Sequence, residues 1–196
     1  MQTKFSYNKT TIQAFQRQLS IRRKALPVLL RKETALRQAL KSLKAEVKET
    51  RQRSQSLHQS LAEWSGVWAQ FYPWVRIEET RLRPENVAGT RVWSFEEVIF
   101  TPAEYPLRYG APSLPAAIEA LKAYLEARER LRIMEEKQRA LEAARKKTTQ
   151  KVNLYEKVQI PAYEEAIRKI KRFLEDKENI ATAAKKIAKK RSLAVS

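Results

Sequence analysis

The chain reads as mostly all-α: a long antiparallel two-helix, left-handed coiled coil built from its N- and C-terminal segments, with a small β-hairpin inserted at one end. Three observations lead there. Only 3 of the 196 residues are glycine while charged residues make up 32%, a balance typical of long helices. Apolar residues recur at alternating steps of three and four near each terminus, which is the spacing of a coiled-coil seam. Pro73, Pro84, Pro102, Pro106, Pro112 and Pro115 fall together between those segments, marking a break in helical texture.

The N-terminal helix is expected over residues 1–72. Its seam runs Ile12, Phe15, Leu19, Arg22, Leu26, Leu29, Glu33, Leu36, Leu40, Leu43, Val47, Thr50, Ser54, Leu57, Leu61, Trp64, Trp68 and Phe71. All but Arg22, Glu33, Thr50 and Ser54 are apolar, and the intervening residues are mostly Lys, Arg, Gln, Glu and Ser. A continuous helix of that span is roughly 90 Å long at ~1.5 Å per residue. Asn8 and Thr10 are the residues placed to cap its start.

Residues 73–115 hold the hairpin and its connecting loops. WVRIEETRL and TRVWSFEEVIF are rich in β-branched and aromatic residues and flank the turn-like RPENVAG. An isolated hairpin is barely stable in water, so it should lean on the helices or on a partner.

Ser113 and Pro115 open a second helix, expected over 116–191, with 192–196 as a tail. Glu126–Arg130, Glu135–Arg139, Glu142–Lys146, Glu164–Arg168 and Glu165–Lys169 stand four apart, each contributing ~0.2–0.5 kcal/mol to an exposed helix. The seam runs Leu131, Met134, Gln138, Leu141, Arg145, Thr148, Val152, Tyr155, then resumes at Ile160, Tyr163, Ile167, Ile170 and Leu174, one residue out of step. The extra residue must be absorbed by a local change of winding, and Pro161, which has no N–H, is a natural place for a widened turn or kink. Folding the chain back at the hairpin pairs Phe71 with Ile118 and Pro27 with Ala162, so that Pro27 and Pro161 bend the pair at one level. Asn153 either fixes register within the seam or borders it beside Val152.

Several function classes are excluded. There is no cysteine, so no disulfide or thiolate chemistry, as suits a reducing compartment. No apolar run approaches the ~20 residues of a membrane span, and the N-terminus lacks the apolar core of a signal peptide; the chain reads as cytoplasmic. His58, the single histidine, has no metal-ligand cluster around it. VAGTR is too short for a phosphate-binding loop, and no serine has a credible base and orienting partner. Trp64, Trp68, Trp74 and Trp93 read as seam residues and a small core beneath the hairpin. No catalytic residue, cofactor or metal is expected. The net charge of +18 keeps one alternative open, a basic coiled coil that binds nucleic acid. The densest charge is KKIAKKR, with Lys185, Lys186, Lys189, Lys190 and Arg191, which also complements a helix C-terminus.

Residues 148–170 carry a more specific signal. Thr148 and Thr149 lead into Val152 and Asn153, then Glu156, Ile160, Pro161, Ile167 and Ile170. This order resembles the near-C-terminal pattern of the D subunit of the V-type/archaeal-type rotary ATPases and ATP synthases. Leu174, Glu175 and KKIAKK match the continuation of that pattern, ENVAGTRV matches the family's hairpin, and NKTTIQAFQRQL and LLRKETAL resemble its opening helix. Leu30, Glu33 and Thr34 depart from a basic stretch of the family, and the aromatic expected before the basic tail is missing from IATAAKK.

The resemblance implies a non-catalytic central rotor shaft, turned by ATP hydrolysis or turned by ion flow to make ATP. It implies as partners the hexamer of catalytic A and B subunits, the small F subunit of the stalk, and the funnel-shaped C/d subunit that caps the membrane ring. Nucleic acid and direct membrane insertion are not implied; the location is cytoplasmic, peripheral to the membrane. Lys185, Lys186, Lys189, Lys190 and Arg191 would then face the hexamer, and the hairpin residues Glu85, Asn86, Val87, Gly89 and Val92 would meet a partner.

Overall fold

The computed structural model describes residues 6–68, 75–101 and 113–194. Phe71, Pro73, Trp74, Pro102, Pro106 and Pro112 lie outside the described residues, as do the side chains of Trp68 and Arg191 and the last two residues of the tail. Helix α1 spans Lys9–Ser60 and passes through a 3-10 turn at Leu61–Trp64 into the short α2, Ser65–Trp68. Strands β1 (Ile77–Val87) and β2 (Thr90–Phe100) follow. Helix α3 (Leu114–Asn153) then runs through a π-helical turn, Leu154–Gln159, into α4 (Ile160–Ala194). The molecule is thus predominantly helical, with one two-stranded antiparallel sheet among the described residues.

Local chemistry sets the helix starts. The Asn8 side chain accepts a hydrogen bond from the Thr11 N–H at 2.7 Å, the N-cap arrangement that satisfies an otherwise orphan donor. The Ser113 carbonyl accepts from the Ala117 N–H at 3.1 Å, the first turn of α3.

The chain divides into two compact units, Lys32–Lys147 and Met1–Arg31 with Thr148–Ser196. In the first, Leu36, Leu40, Leu43 and Val47 of α1 form one buried cluster with Leu141 of α3 and Val92 of β2. Full burial of such side chains is worth ~1.5–3 kcal/mol each. Val87, Ala88, Leu131, Met134 and Ala144 pack around them. The hairpin therefore lies back against the two helices and shares their core. Its turn is tighter than the sequence suggests: β1 continues through RPEN to Val87, and the reversal is Ala88–Gly89, with φ of 49° and 73°. Two positive φ values make the primed turn whose twist suits a two-residue hairpin. Pro84 sits within β1 opposite Trp93; a two-stranded sheet has no third strand to demand its missing N–H.

The unit of Met1–Arg31 with Thr148–Ser196 pairs the start of α1 antiparallel with α4. Tyr7 meets Phe173 with ring centroids 4.8 Å apart, Phe15 meets Tyr163 at 5.4 Å, and Arg23 bonds Glu164 at 2.5 Å. Val152, Ala166, Ile167 and Ile170 are buried. The register differs from the one expected by folding the chain at the hairpin: Arg22 meets Gln159 where that folding would place it by Ile167. A slip of one heptad leaves apolar facing apolar, so the pattern of seam residues does not choose between registers. Charge does. Moving the C-terminal strand of the pair by seven residues would set Arg23 against Lys171 instead of Glu164, and Glu33 against Val152 instead of Arg145.

The out-of-step seam has a direct structural cause. Tyr155, Gln159, Tyr163 and Ile167 are all at least half-buried, three successive steps of four where a regular seam alternates three and four. The π turn absorbs the surplus residue: the Ile160 N–H bonds to the Tyr155 carbonyl, five residues back, widening the helix so that one stripe stays on the partner. Glu156, Lys157 and Val158 are pushed to the exposed side. Pro161 follows the wide turn immediately. By the Arg22–Gln159 register, Pro27 stands opposite its beginning, so the two prolines lie about seven residues, or ~10 Å, apart along the pair.

Deleting Lys157 should restore a regular three-four seam and a continuous α-helix. The deletion variant is expected to fold with unchanged helix content and to melt at or above the temperature of the parent. Loss of more than about 1 kcal/mol on denaturant unfolding would show that the wide turn is not simply an absorbed surplus residue.

Candidate functional site

Three features stand out from the helical pairs. The first is built on the wide turn. Arg22, although a seam residue, is only half-buried. Its Nε donates to Gln159 Oε1, and one terminal nitrogen donates to Gln18 Oε1 at 2.5 Å. Its guanidinium lies 4.9 Å from the ring centre of Tyr163 and 5.7 Å from that of Tyr155. A cation held between two aromatic rings gains ~0.5–1 kcal/mol from each at such exposure. Tyr155 lies within the wide turn and Tyr163 just beyond it, so Arg22 ties the widened stretch to the start of α4.

The residues of the 148–161 pattern lie along the same stretch of chain. Thr148 and Val152 are buried, Thr149 and Ile160 half-buried, and Asn153, Glu156 and Pro161 exposed. Asn153 thus borders the seam. Of the remaining seam residues, Leu19, Leu26, Leu29, Leu57, Leu61, Tyr163 and Leu174 are half-buried, while Leu36, Leu40, Leu43, Val47, Ile167 and Ile170 are buried.

The second feature is the hairpin face. The Glu85 carboxylate accepts from Lys137 Nζ at 2.7 Å and from the Ser94 hydroxyl, and Lys137 also donates to Ser94 Oγ at 3.0 Å. The Lys137 hydrogen bond, with that of Ser94 behind it, holds the Glu85 carboxyl below its usual range. Val92 is buried and Val87 packs on the same core. Glu85, Val87 and Val92 therefore face the chain's own helices, and Asn86 and Gly89 are the exposed members of that group. Sequence reasoning placed Trp93 in a core beneath the hairpin; it is instead 57% exposed, at the rim of the space between β2 and the helices. A cavity of about 450 Å³ lies between β2 and the helices of this unit, with Leu43, Thr50, Trp93, Phe95, Ile133 and Met134 in its wall.

The third is α4 beyond the aromatic pairs. Lys185, Lys186, Lys189 and Lys190 are exposed, and Arg191 continues the same helix. Phe173, Ile180 and Ile187, seven residues apart, are 45%, 70% and 56% exposed. Among the described residues no group of His, Asp and Glu side chains is placed to hold a metal, and no helix is long and apolar enough to cross a membrane. The His58 ring meets that of Tyr124 at a tilt, with centroids 5.2 Å apart.

Glu33 supplies a pH-sensitive contact in the Lys32–Lys147 unit. It accepts from Arg37 at 2.9 and 3.0 Å and from Arg145 of α3 at 3.4 Å. The Arg37 bond leads in holding its carboxyl below the ordinary value, with Arg145 helping against a burial cost. A lowered folded-state pKa gives stability that is complete above the unfolded value of about 4.3 and is lost as pH falls through the folded value. Glu33→Gln is therefore expected to cost about 1–3 kcal/mol at pH 6, with the difference from the parent closing as pH drops below about 4. Thermal melts of both chains across that range check it.

Comparison with known proteins agrees with the geometry. The family profile described as the D subunit of ATP synthase matches residues 11–190. The V-type ATP synthase D subunit of Borreliella burgdorferi is 24% identical over 190 residues, covering 95% of this chain and 94% of that protein. The protein of the same name from Chlamydia muridarum is 33% identical over 114 residues, covering 55% of this chain and 53% of its own length. With helical pairing, inserted hairpin and profile match extending over most of its length, this chain belongs to the family of ATP synthase D subunits.

Proposed function

We propose that the chain is the non-catalytic central-stalk component of a V/A-type rotary ATPase or ATP synthase, a shaft that couples ATP hydrolysis or synthesis in a hexamer of A and B subunits to ion translocation through a membrane ring. The observation that carries the reading is the family match from residue 11 to 190, over a chain whose helices pair along apolar residues within each unit. A shaft needs stiffness and asymmetry rather than a pocket, and helices zipped along an apolar seam supply the first. The exposed lysines of α4 suit a sleeve lined with carboxylates, each contact being modest because it is solvated. Trp93, Asn86 and the cavity beneath β2 suit the small F subunit. The funnel-shaped ring cap is the remaining partner, and the location is cytoplasmic, peripheral to the membrane.

The competing reading, a nucleic-acid-binding coiled coil, rests on net charge alone. Six of the 40 cations, Arg23, Arg37, Lys44, Arg51, Lys137 and Arg145, pair with carboxylates of the chain, and the excess is left to the binding measurement below.

A complex reconstituted with the full chain is expected to rotate on ATP, and removal of residues 185–196 to lower its turnover; unchanged rotation would show the tail dispensable. The isolated chain should bind duplex DNA only in the non-specific range, about 10⁻⁴–10⁻⁶ M at physiological salt. Sequence-selective binding well below that range would favour the competing reading.

A further inference from the structure

The surplus residue of the seam has more than one place to go. As observed, the three successive steps of four run Tyr155, Gln159, Tyr163 and Ile167. The count closes equally well if they fall one heptad later or one heptad earlier. The later placement exchanges Tyr163 and Ile167 for Ala162 and Ala166. It takes Tyr163 from Phe15 and from the Arg22 guanidinium, and sets two methyl groups where two large side chains stood. The earlier placement runs Thr148, Val152, Glu156 and Ile160, and rejoins the observed seam at Tyr163. Only Tyr155 and Gln159 leave, and Glu156 and Ile160 enter. Apolar Ile160 replaces polar Gln159, and the Glu156 carboxylate arrives where Arg22 now lies 5.7 Å from the Tyr155 ring centre. The residue pattern thus allows two placements of similar merit, and the structure takes one of them.

Pro161 separates the two. A proline ring crowds the carbonyl four residues before it wherever the intervening helix is regular, and here that carbonyl belongs to Lys157. In the observed placement the wide turn runs to Gln159 and the Ile160 N–H bonds five residues back. The helix between Lys157 and Pro161 is therefore not regular, and the crowding is relieved. With the wide turn a heptad earlier, residues 156–161 become regular helix and the proline adds a second, separate irregularity. One stretch serves both when they coincide. Arg22 pulls the same way, because its bond to Gln159 and its contact with Tyr155 belong only to the observed placement.

We propose that Pro161 is the latch of a two-position helix. It holds the wide turn at Leu154–Gln159 against a second placement one heptad earlier. There Glu156 and Ile160 replace Tyr155 and Gln159 on the seam, and Arg22 exchanges its Tyr155 contact and Gln159 bond for the Glu156 carboxylate. Helices with two discrete packings are a recurring switching element, and this one would change which side chains of 155–160 face outward while leaving Val152 and Tyr163 in place. The inference concerns the chain by itself, goes beyond the shaft reading and does not depend on it.

Pro161→Ala in the full chain is the decisive variant. Pro161 is exposed, so alanine removes no buried contact. A crystal structure of the variant is expected to show the Ile160 N–H bonded to the Glu156 carbonyl four residues back, the five-back bonds earlier than Leu154, and the Glu156 carboxylate on Arg22. In solution the chain has no native cysteine, so Glu156→Cys reports its own exposure. Its labelling by a maleimide should match that of Lys171→Cys, an exposed position of α4, and should slow about tenfold when Pro161→Ala shifts the population. Adding Ile160→Ser, which sets a hydroxyl where the second placement buries Ile160, should restore the fast rate. A Pro161→Ala structure with the wide turn still at residues 154–159, or displaced toward the C-terminus, overturns the proposal. So does a labelling change under about twofold, or a slow rate that Ile160→Ser leaves slow. Loss of folding in Pro161→Ala overturns it as well, because the proposal requires a second placement ready to receive the chain.

Discussion

The apolar contact between α1 and the helices of the C-terminal half is the interaction on which everything else in the molecule depends. Leu36, Leu40, Leu43 and Val47 against Leu141 in one unit, and Phe15 and Tyr7 against Tyr163 and Phe173 in the other, remove from water the side chains that no isolated helix could hide. The hairpin is stable only because Val92, Val87 and Ala88 join that same core. A two-stranded sheet in water would not persist unaided. The exposed Trp93 and the cavity beneath β2 both follow from where the hairpin had to lie in order to be stable.

Polar residues inside the seam do different work from the apolar ones. Apolar contact gives affinity but leaves register open by a heptad, whereas Glu33 with Arg145 and Arg23 with Glu164 admit one register. Arg22 has a further task. Set between Tyr155 and Tyr163 and bonded to Gln159, it bridges a stretch in which the helix carries one residue too many. The wide turn keeps the stripe of Ile167 and Ile170 on its partner and in the same act leaves Glu156, Lys157 and Val158 exposed.

Much of this was legible in the sequence because helix pairing writes itself as a three-four repeat. The helical class, the hairpin and the slip before Pro161 each had a local signature, and Asn8 had the side chain of a cap. The register was not legible, because a heptad shift changes no apolar contact and only ion pairs such as Lys44–Glu142 distinguish the alternatives. The hairpin turn was misplaced because RPEN looks like a loop, although Pro84 is tolerated wherever a strand has one neighbour. Trp93 was read with the other tryptophans as seam or core; it stands 57% exposed at the rim of the space beside β2. The cation bridge at Arg22 could not be seen, since its partners are Gln18 on its own helix and three residues far along the chain.

The antiparallel register held by the seam is the claim most directly open to measurement. The chain has no native cysteine, so introduced thiols report on chosen pairs alone. Thr50→Cys with Met134→Cys joins side chains that touch at 3.6 Å, and Phe15→Cys with Tyr163→Cys joins two rings in contact, with centroids 5.4 Å apart. A short bifunctional maleimide should bridge both pairs efficiently within single chains and should fail with the heptad-shifted controls, Thr50→Cys with Leu141→Cys and Phe15→Cys with Ile170→Cys. Efficient bridging of the shifted pairs, or of none of the four, would contradict the register and with it the bridge and the hairpin core that depend on it.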